Sequence, residues 1–347
     1  MNLQKHKRLL WVDYSKFIGI FLVVFGHTAI PKNLYQAIFS FHLPLFFFLS
    51  GYLFHFKKYD TYRSFLITRV RQIVLPYFFL NIITYVYWLL IGRKFGEDST
   101  RVIKFYTPII GIFYGNGTGD YLVHNIASWY LACLFTVENL FFVFFRRAVK
   151  NQKWIFLIAF LAAGYFDSTY DSIRWPWSFN VALVGLVFYA FGNLIRDKLD
   201  ILFRKKVPLL VTALLIVFVS YKYFLSINGH VNLNDNVYVT YWYFWPCAFS
   251  GIFVTLILSR ILEHYFGRIR VVEFISRNTM VILIFQFIAL SLIKAFTLFI
   301  LKIPLSIFDN KVMINVFISV IVVIILAPVI YIVENYFPFL VGRRLKH

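Results

Sequence analysis

The sequence predicts an all-α, polytopic membrane helix bundle of about ten transmembrane helices, with both termini in the cytoplasm and a single domain over residues 1–347. Three observations predict this fold class. Of the 347 residues, 61% are hydrophobic and only 14% are charged, whereas a soluble domain carries about 25% charged residues. Apolar runs near the roughly 20 residues that span a bilayer recur along the chain. Basic residues cluster in alternate connections between those runs, as they do in multi-pass proteins.

The apolar runs give the predicted helices in chain order. The ten runs are 11–30, 35–56, 72–92, 126–145, 153–167, 178–195, 207–226, 240–260, 278–301 and 312–337. The first carries three ionisable groups among residues that suit lipid. The second contains Pro44, which frees a backbone carbonyl, and Ser50-Gly51, which allows close helix approach. The third follows Arg69 and Arg71, and the fourth contains Glu138.

The remaining runs are simpler. The fifth is the shortest, and the last five are largely apolar throughout, although the ninth contains Gln286. Residues 100–125 are too polar and too rich in glycine to span, so we expect a surface loop with an amphipathic or re-entrant stretch. No cleavable signal peptide is visible, and we expect the first run to be retained as a signal-anchor.

The basic residues orient the predicted bundle. With ten spans, 24 of the 35 Lys and Arg residues fall on the side of the termini, 10 fall on the other side, and Lys16 lies inside the first span. Cytoplasmic loops carry such an excess of Lys and Arg. The bias therefore predicts cytoplasmic termini, and we expect a multi-pass protein of a bacterial plasma membrane.

Composition excludes several functional classes. A net charge of +20 can indicate nucleic-acid binding, but here topology and contact with anionic membrane lipids explain it, and no soluble basic domain exists to bind nucleic acid. The chain has two cysteines, Cys133 and Cys247, and both lie in apolar runs. We therefore expect neither a disulfide framework nor a metal site.

The first helix carries the clearest candidate site. Asp13, Lys16 and His27 lie within or at the end of one hydrophobic run, and ionisable groups in a membrane helix are costly and usually functional. Lys16 and His27 are eleven residues apart, about three turns, so they share a face and stand ~16 Å apart along the axis. Histidine is the usual general base near neutral pH. Alternatively, Lys16 and Asp13 only pair at the helix start, with Lys16 extending to the headgroups.

Three further groups have two interpretations each. Arg69 and Arg71 either mark topology or recognise phosphates, for which the guanidinium fork is suited; because they are two residues apart, they converge only if a helix begins nearby. Glu138 must be protonated, paired or near water, and Lys16 or an arginine is its candidate partner. His42 is either a packed histidine or part of a site.

These segments together resemble the acyltransferase 3 family of bacterial membrane proteins. The resemblance lies in the Lys16-x10-His27 spacing with Asp13 and Gly26, in FHLPLFFFLSGY at 41–52 and in TRVRQIVLPY at 68–77. WYLACLF at 129–135 and VFYAFGNLIR at 187–196 resemble later family blocks. The similarity extends over nearly the whole chain, and ten spans is the family's usual number.

The resemblance implies a function. It implies an O-acyltransferase that moves an acetyl group from cytoplasmic acetyl-CoA to a hydroxyl of a surface or lipid-linked carbohydrate, as in the short sugar O-acetyltransferases. His27 matches the essential histidine of the family, and Lys16 matches its basic partner, which would receive an anionic group that Asp13 orients. Arg69 and Arg71 match the donor-binding arginines. Acyl-CoA is a substrate and no cofactor is permanently bound; a polysaccharide-synthesis complex is a further expected partner.

Two positions depart from the family pattern. Lys16 stands where many members have arginine, so a bidentate phosphate contact is lost. Gln286 stands where many members have histidine, and glutamine cannot act as a base. The alternative from another class is a transporter or flippase of lipid-linked glycans, since membrane charges could also line its pathway.

Overall fold

The computed structural model describes residues 8–95 and 97–343. Four residues of the charge count, Lys5, Lys7, Arg344 and Lys346, lie outside the described residues. Within them the chain is almost entirely helical, with one short antiparallel hairpin. The predicted all-α polytopic bundle is confirmed.

The elements follow one another with short connections. The α-helices are α1 (Leu10–Gly26), α2 (Lys32–Phe39), α3 (His42–Leu53), α4 (Tyr62–Arg69), α5 (Leu75–Tyr87), α6 (Arg93–Phe95), α7 (Thr107–Tyr114), α8 (Trp129–Phe145), α9 (Lys150–Tyr170), α10 (Phe179–Leu194), α11 (Arg196–Leu202), α12 (Val207–Asn228), α13 (Tyr241–Phe266), α14 (Arg270–Arg277), α15 (Thr279–Ala295) and α16 (Val312–Tyr336). The hairpin strands, β1 (Val231–Asn232) and β2 (Val237–Tyr238), lie between α12 and α13.

Eight helical segments in the described part of the chain are long and apolar enough to cross a membrane. They coincide with eight of the ten predicted runs. The other two runs, the first and the fifth, fall on α1 and α9, which have 17 and 21 residues. Helix α1 packs against α3, α13, α14 and α15, so it lies inside the bundle rather than at its edge.

Prolines interrupt two of the predicted helices. Pro44 has no N–H for the carbonyl of Ser40, and its ring clashes with a regular helix at that carbonyl. Helix α2 therefore ends at Phe39 and α3 begins at His42, so the predicted second run is a broken helix. Pro76 has the same effect one turn earlier, where Val70–Val74 form a π-helical turn between α4 and α5.

Helix α10 is central and α12 peripheral, since 72% of the span containing α10 and 11% of that containing α12 is buried. Two glycines let α3 and α10 approach closely. A Cβ on Gly51 would stand 1.8 Å from the carbonyl oxygen of Tyr189, and one on Gly192 would stand 2.3 Å from that of Phe48. Small residues bring membrane helices into backbone contact in this way, and the contact fixes α3, which carries His42 and Ser50.

The predicted non-spanning region contains α7, a helix of eight residues. It ends at Gly115 in the left-handed conformation, φ +68°, which glycine adopts without steric cost. The Tyr77 hydroxyl donates to the carbonyl of Ile112 at 2.8 Å and ties α7 to α5. This arrangement places Gly117 and Gly119 beside the end of α1 where His27 lies.

Candidate active site

Asp13 pairs with an arginine that precedes α1. Its carboxylate accepts from Nε and Nη2 of Arg8 at 2.5 and 2.9 Å and from the Ser276 hydroxyl at 2.7 Å. Bidentate, charge-assisted hydrogen bonds of this kind are stronger than hydrogen bonds between neutral groups. Because Ser276 belongs to α14, Asp13 fastens that helix to the start of α1, and it does so without Lys16.

A second carboxylate extends the contact between α1 and α14. Glu273 accepts from Nε and Nη2 of Arg268 at 2.8 and 2.9 Å, and its Oε1 lies 3.7 Å from Nε of Arg8. The hydrogen bonds from Arg268 hold the pKa of Glu273 below its ordinary value. The carboxylate is therefore charged at neutral pH, and α14 is held by alternating charges.

Lys16 is left without such a partner. Among the described residues no carboxylate lies within ion-pair distance of its ammonium group, although burial desolvates the side chain. Lys16 lines two cavities. The first, the Arg277 mouth, measures about 400 Å³; its wall includes Arg8, Asp13, Lys16, Arg277, Asn278 and Arg343. The second, the Lys16 channel, measures about 130 Å³; its wall includes Lys16, Ile20, Leu43, Ser50, Tyr130 and Met280.

His27 follows α1 as its C-terminal cap and lines a third cavity. This His27 cavity measures about 400 Å³, and its wall includes Val23, His27, His42, Trp129, Tyr130 and Asp235. The imidazole packs edge-on against Phe287 and Phe39, with ring centroids 4.9 and 5.8 Å away. Within the described residues neither ring nitrogen has a hydrogen-bond partner, so both are available to a substrate.

His42 shares the cavity with His27. The ring of Phe39 contacts both imidazoles, with its centroid 4.7 Å from that of His42. Nδ1 of His42 lies 2.8 Å from the carbonyl oxygen of Ile38. Because a carbonyl only accepts, Nδ1 carries the proton, and the lone pair of the neutral ring is on Nε2. His42 is thus both packed, at 2% exposure, and part of the cavity wall.

The hairpin turn supplies a polar wall of the His27 cavity. Asp235 accepts from Nδ2 of Asn232 at 2.6 Å and from Nδ2 of Asn234 at 3.0 Å. Asn234 also donates to the carbonyl of Gly117 at 3.2 Å, and Asn236 donates to Asp167 at 2.8 Å. The turn is therefore anchored to the bundle rather than free to move.

The three cavities share walls in sequence. The Arg277 mouth and the Lys16 channel have Lys16, Thr279 and Met280 in common. The channel and the His27 cavity share a second set: Val23, Leu43, Tyr130 and Leu283. The three cavities are therefore neighbours in a row beside α1, from Lys16 at one end to His27 at the other.

Arg69 and Arg71 do not converge. Nε of Arg69 lies 2.8 Å from Oε2 of Glu138 in an ion pair that does not meet hydrogen-bond geometry, and the guanidinium lies over the ring of Phe54 at 5.6 Å. Both groups line a fourth cavity of about 570 Å³, the Arg69 pocket, which shares Ser50 and Leu134 with the Lys16 channel. Arg71 is exposed. Glu138 thus has an arginine partner, one of the two candidates given by the sequence.

The remaining residues singled out in the sequence are buried and contact only other parts of the protein. Gln286 is fully buried, and its Nε2 donates to the carbonyl of Leu283 at 3.1 Å. Cys133 and Cys247 are free and buried. Within the part of the chain that the structure describes, no group of three His, Cys, Asp or Glu side chains could hold a metal ion.

Sequence reasoning missed two parts of the site. In the sequence, Arg277 contributed only to the count of basic residues that orients the bundle, and Asn278 only marked the start of the ninth run. Both residues line the mouth next to Lys16. The turn Asn232–Asn236 was missed altogether. Its signal was present in the polar run NLNDN between two apolar helices, since Asn and Asp favour turns.

Comparison with known protein families shows which family the chain belongs to. Residues 9–332 match the family model described as "Acyltransferase domain". No curated protein and no solved structure matches the chain. The match extends from the start of α1 almost to the end of α16, so it includes nearly all of the residues that line these cavities; Arg8, Val341 and Arg343 of the Arg277 mouth lie outside it. The chain therefore belongs to the acyltransferase 3 family and is a multi-pass membrane acyltransferase.

Proposed function

We propose that the protein transfers an acetyl group from cytoplasmic acetyl-CoA to a hydroxyl of a surface or lipid-linked carbohydrate. The observation that carries this proposal is that three neighbouring cavities with shared lining residues lie between Lys16 and His27. The basic end, where the termini are expected, faces the cytoplasm and admits the donor. The acceptor enters the His27 cavity from the other side.

The donor's shape fits this line of spaces. Lys16 and His27 are separated by ~16 Å along α1, a distance that an extended pantetheine arm can cover. The Lys16 channel, about 130 Å³, is a third the size of the cavities at its ends. A thin acyl-pantetheine chain suits so narrow a space, whereas a nucleotide must remain in the mouth.

His27 supplies the base in the proposed reaction. The acceptor hydroxyl loses its proton to a ring nitrogen of His27 as its oxygen attacks the thioester carbonyl carbon. The carbon–sulfur bond then breaks, the electron pair leaves with the CoA thiolate, and the imidazolium returns the proton to that thiolate. In the alternative route His27 itself is acylated and passes the group to the hydroxyl. Trapping of acetylated His27 in the absence of acceptor would establish that alternative.

The wall opposite His27 suits a carbohydrate. Asp235 and Asn232 present hydrogen-bonding groups to sugar hydroxyls, while Tyr35 and Trp129 present aromatic rings. Because a carboxylate has about four acceptor sites and Asp235 uses two on its own turn, capacity remains for ligand hydroxyls. Asp235 also has no ion-pair partner among the described residues, so its charge is free to bind.

Transfer of labelled acetyl groups tests the proposal. Purified protein in nanodiscs is given radiolabelled acetyl-CoA and surface glycan from a strain that lacks the gene. We expect label in the glycan, and His27→Ala should reduce transfer by about two orders of magnitude or more, the usual contribution of a general base. His264→Ala is the matched control, because that histidine is exposed and lines none of these cavities.

The same experiment separates the enzyme from a glycan transporter. If no label reaches any glycan, and His27→Ala impairs glycan export while acetylation in the strain is intact, the acetyltransferase proposal is wrong. The family assignment favours the enzyme, and the Lys16 channel, at about 130 Å³, is a small space for a glycan.

A further inference from the structure

We propose that the Arg277 mouth is the anion seat of the donor, where Lys16, Arg277 and the first turn of α15 bind the phosphates of CoA. The inference rests on the proposed function, because it assumes a CoA thioester as donor. It assigns the phosphates to a cavity whose lining contains no residue of the arginine motif at 68–77, although that motif packs against Gly342 beside it. Three features of the mouth carry it.

The first feature is an uncapped helix N-terminus. Helix α15 has 17 residues, and no side chain caps its first turn. The N-cap residue, Asn278, instead donates from Nδ2 to the carbonyl of Phe274 at 2.8 Å and to Glu334 at 3.1 Å. Thr279, Met280 and Val281, whose N–H groups have no acceptor within the helix, all line the mouth. Such a terminus carries partial positive charge and favours anions.

The second feature is the unpaired ammonium group of Lys16. Its side chain is desolvated by burial, lines the mouth and, among the described residues, has no ion-pair or hydrogen-bond partner; the charge of Asp13 acts on it only from beyond ion-pair distance and is opposed by that of Arg8. A buried charge is costly unless a counter-charge is present. An arriving phosphate would supply that counter-charge at the junction between the mouth and the Lys16 channel, where the pantetheine arm must begin.

The third feature is that two arginines of the mouth are paired with carboxylates, whereas Arg277 is not. Arg8 is committed to Asp13. Arg343 is committed to Glu334 at 2.5 Å and to the backbone carbonyl of Arg277 at 2.6 Å. Arg277 is exposed, and within the described ranges it has no ion-pair partner. Arg343 holds the backbone of Arg277, while the guanidinium of Arg277 remains available in the wall of the mouth. A guanidinium can donate two parallel hydrogen bonds to a phosphate.

The Arg69 pocket is a weaker seat for the same phosphates. Its arginine already faces the buried carboxylate of Glu138 at 2.8 Å, so the two charges compensate each other. A phosphate would have to displace Glu138 or lie beside it, and like charges in a poorly hydrated site repel strongly. The mouth also has a carboxylate in its wall, Asp13, but Arg8 and Ser276 bind it. Lys16 and Arg277 therefore remain without an ion-pair partner among the described residues, whereas Arg69 is itself paired with Glu138.

Binding measurements on the full-length protein in nanodiscs test the inference. The probes are CoA, dephospho-CoA, pantetheine and inorganic pyrophosphate, each titrated calorimetrically. We expect Arg277→Gln and Lys16→Gln to weaken CoA binding at least about tenfold, the value of one charge-assisted contact, and to leave pantetheine affinity unchanged. Arg63→Gln is the matched control, because Arg63 is also an exposed arginine and does not line the mouth.

The outcomes separate this inference from the proposed function. If CoA binds and Arg277→Gln and Lys16→Gln retain its affinity while Arg69→Gln loses it, the seat is in the Arg69 pocket and the inference fails. If pyrophosphate binds in an Arg277-dependent way but CoA does not, the anion seat stands and the CoA donor fails. If neither CoA nor pyrophosphate binds, both proposals fail.

Discussion

At the scale of single residues, the polar groups of α1 separate into a clamp and a site. Asp13 lines the Arg277 mouth but is bound by Arg8 and Ser276 and holds α14, whereas Lys16 and His27 line neighbouring cavities and have no ion-pair partner among the described residues. The sequence could predict the Lys16–His27 axis, because helical spacing is regular. It could not predict the partner of Asp13, because Arg8 precedes the apolar run and Ser276 is distant in sequence.

The Arg69–Glu138 pair leads to a prediction about stability. The side chains are 17% and 5% exposed, so removing one leaves a poorly solvated charge. Glu138→Leu should lower the free energy of unfolding by roughly 3–5 kcal/mol. The double variant Arg69→Met/Glu138→Leu should recover most of the loss, because no isolated charge remains. Thermal unfolding in detergent measures both.

The same double variant also tests the function of the pair. If the anion seat is the Arg277 mouth, the double variant should bind CoA as the wild type does. Arg63→Met is the control, since Arg63 is exposed. A single Glu138→Leu variant as stable as the wild type would show that the pair is not needed for the fold.

At the scale of elements, hydrophobic length predicted where the helices are, and local chemistry decided their breaks. Residues 126–145 were predicted as the fourth span, and Ile126–Phe145 is a membrane-spanning candidate. The break before His42 follows from Pro44, whose effect on carbonyls is readable in the sequence. The two-residue strands were not predictable, since so short a pairing leaves no alternating pattern.

The contact between α3 and α10 gives a prediction at this scale. Gly51→Ala would place a methyl group 1.8 Å from a backbone oxygen of Tyr189, and a backbone atom cannot move aside cheaply. We expect a loss of about 3 kcal/mol or more, the upper part of the usual range for overpacking, with lower activity because α3 carries His42. Thermal unfolding and acetyl transfer measure the two effects.

Gly92→Ala is the control for that substitution. The added Cβ would meet Cδ1 of Trp88 at 3.4 Å, an ordinary contact, so stability should be nearly unchanged. If Gly51→Ala proved equally harmless, the close approach of α3 and α10 would not be a requirement of the fold.

At the scale of the whole molecule, the bundle places two cavities of unlike chemistry on either side of one small cavity, the Lys16 channel. The Arg277 mouth is basic, and the His27 cavity contains two histidines, aromatic rings and the carboxylate of Asp235. Composition and charge predicted the membrane bundle and a direction along α1. They could not predict the Lys16 channel, because it is lined by side chains from α1, α3, α8 and α15, which are far apart in sequence.

The Lys16 channel can be filled by a substitution at a single position. Leu43 lines both the Lys16 channel and the His27 cavity, and Leu43→Trp would add an indole group to a space of only about 130 Å³. The nucleotide seat lies on the far side of Lys16, so CoA affinity should stay within a few-fold of the wild type. Acetyl transfer should fall more than tenfold, because the thioester can no longer reach His27.

A matched substitution distinguishes blockage from general damage. Leu90→Trp introduces the same side chain at a position that is 59% exposed, and it should change neither transfer nor thermal stability. Because binding and transfer are measured separately, loss of both in Leu43→Trp would indicate misfolding rather than a plug. Full transfer in a folded Leu43→Trp protein would mean that the acetyl group does not pass through the Lys16 channel, and the proposed path beside α1 would have to be abandoned.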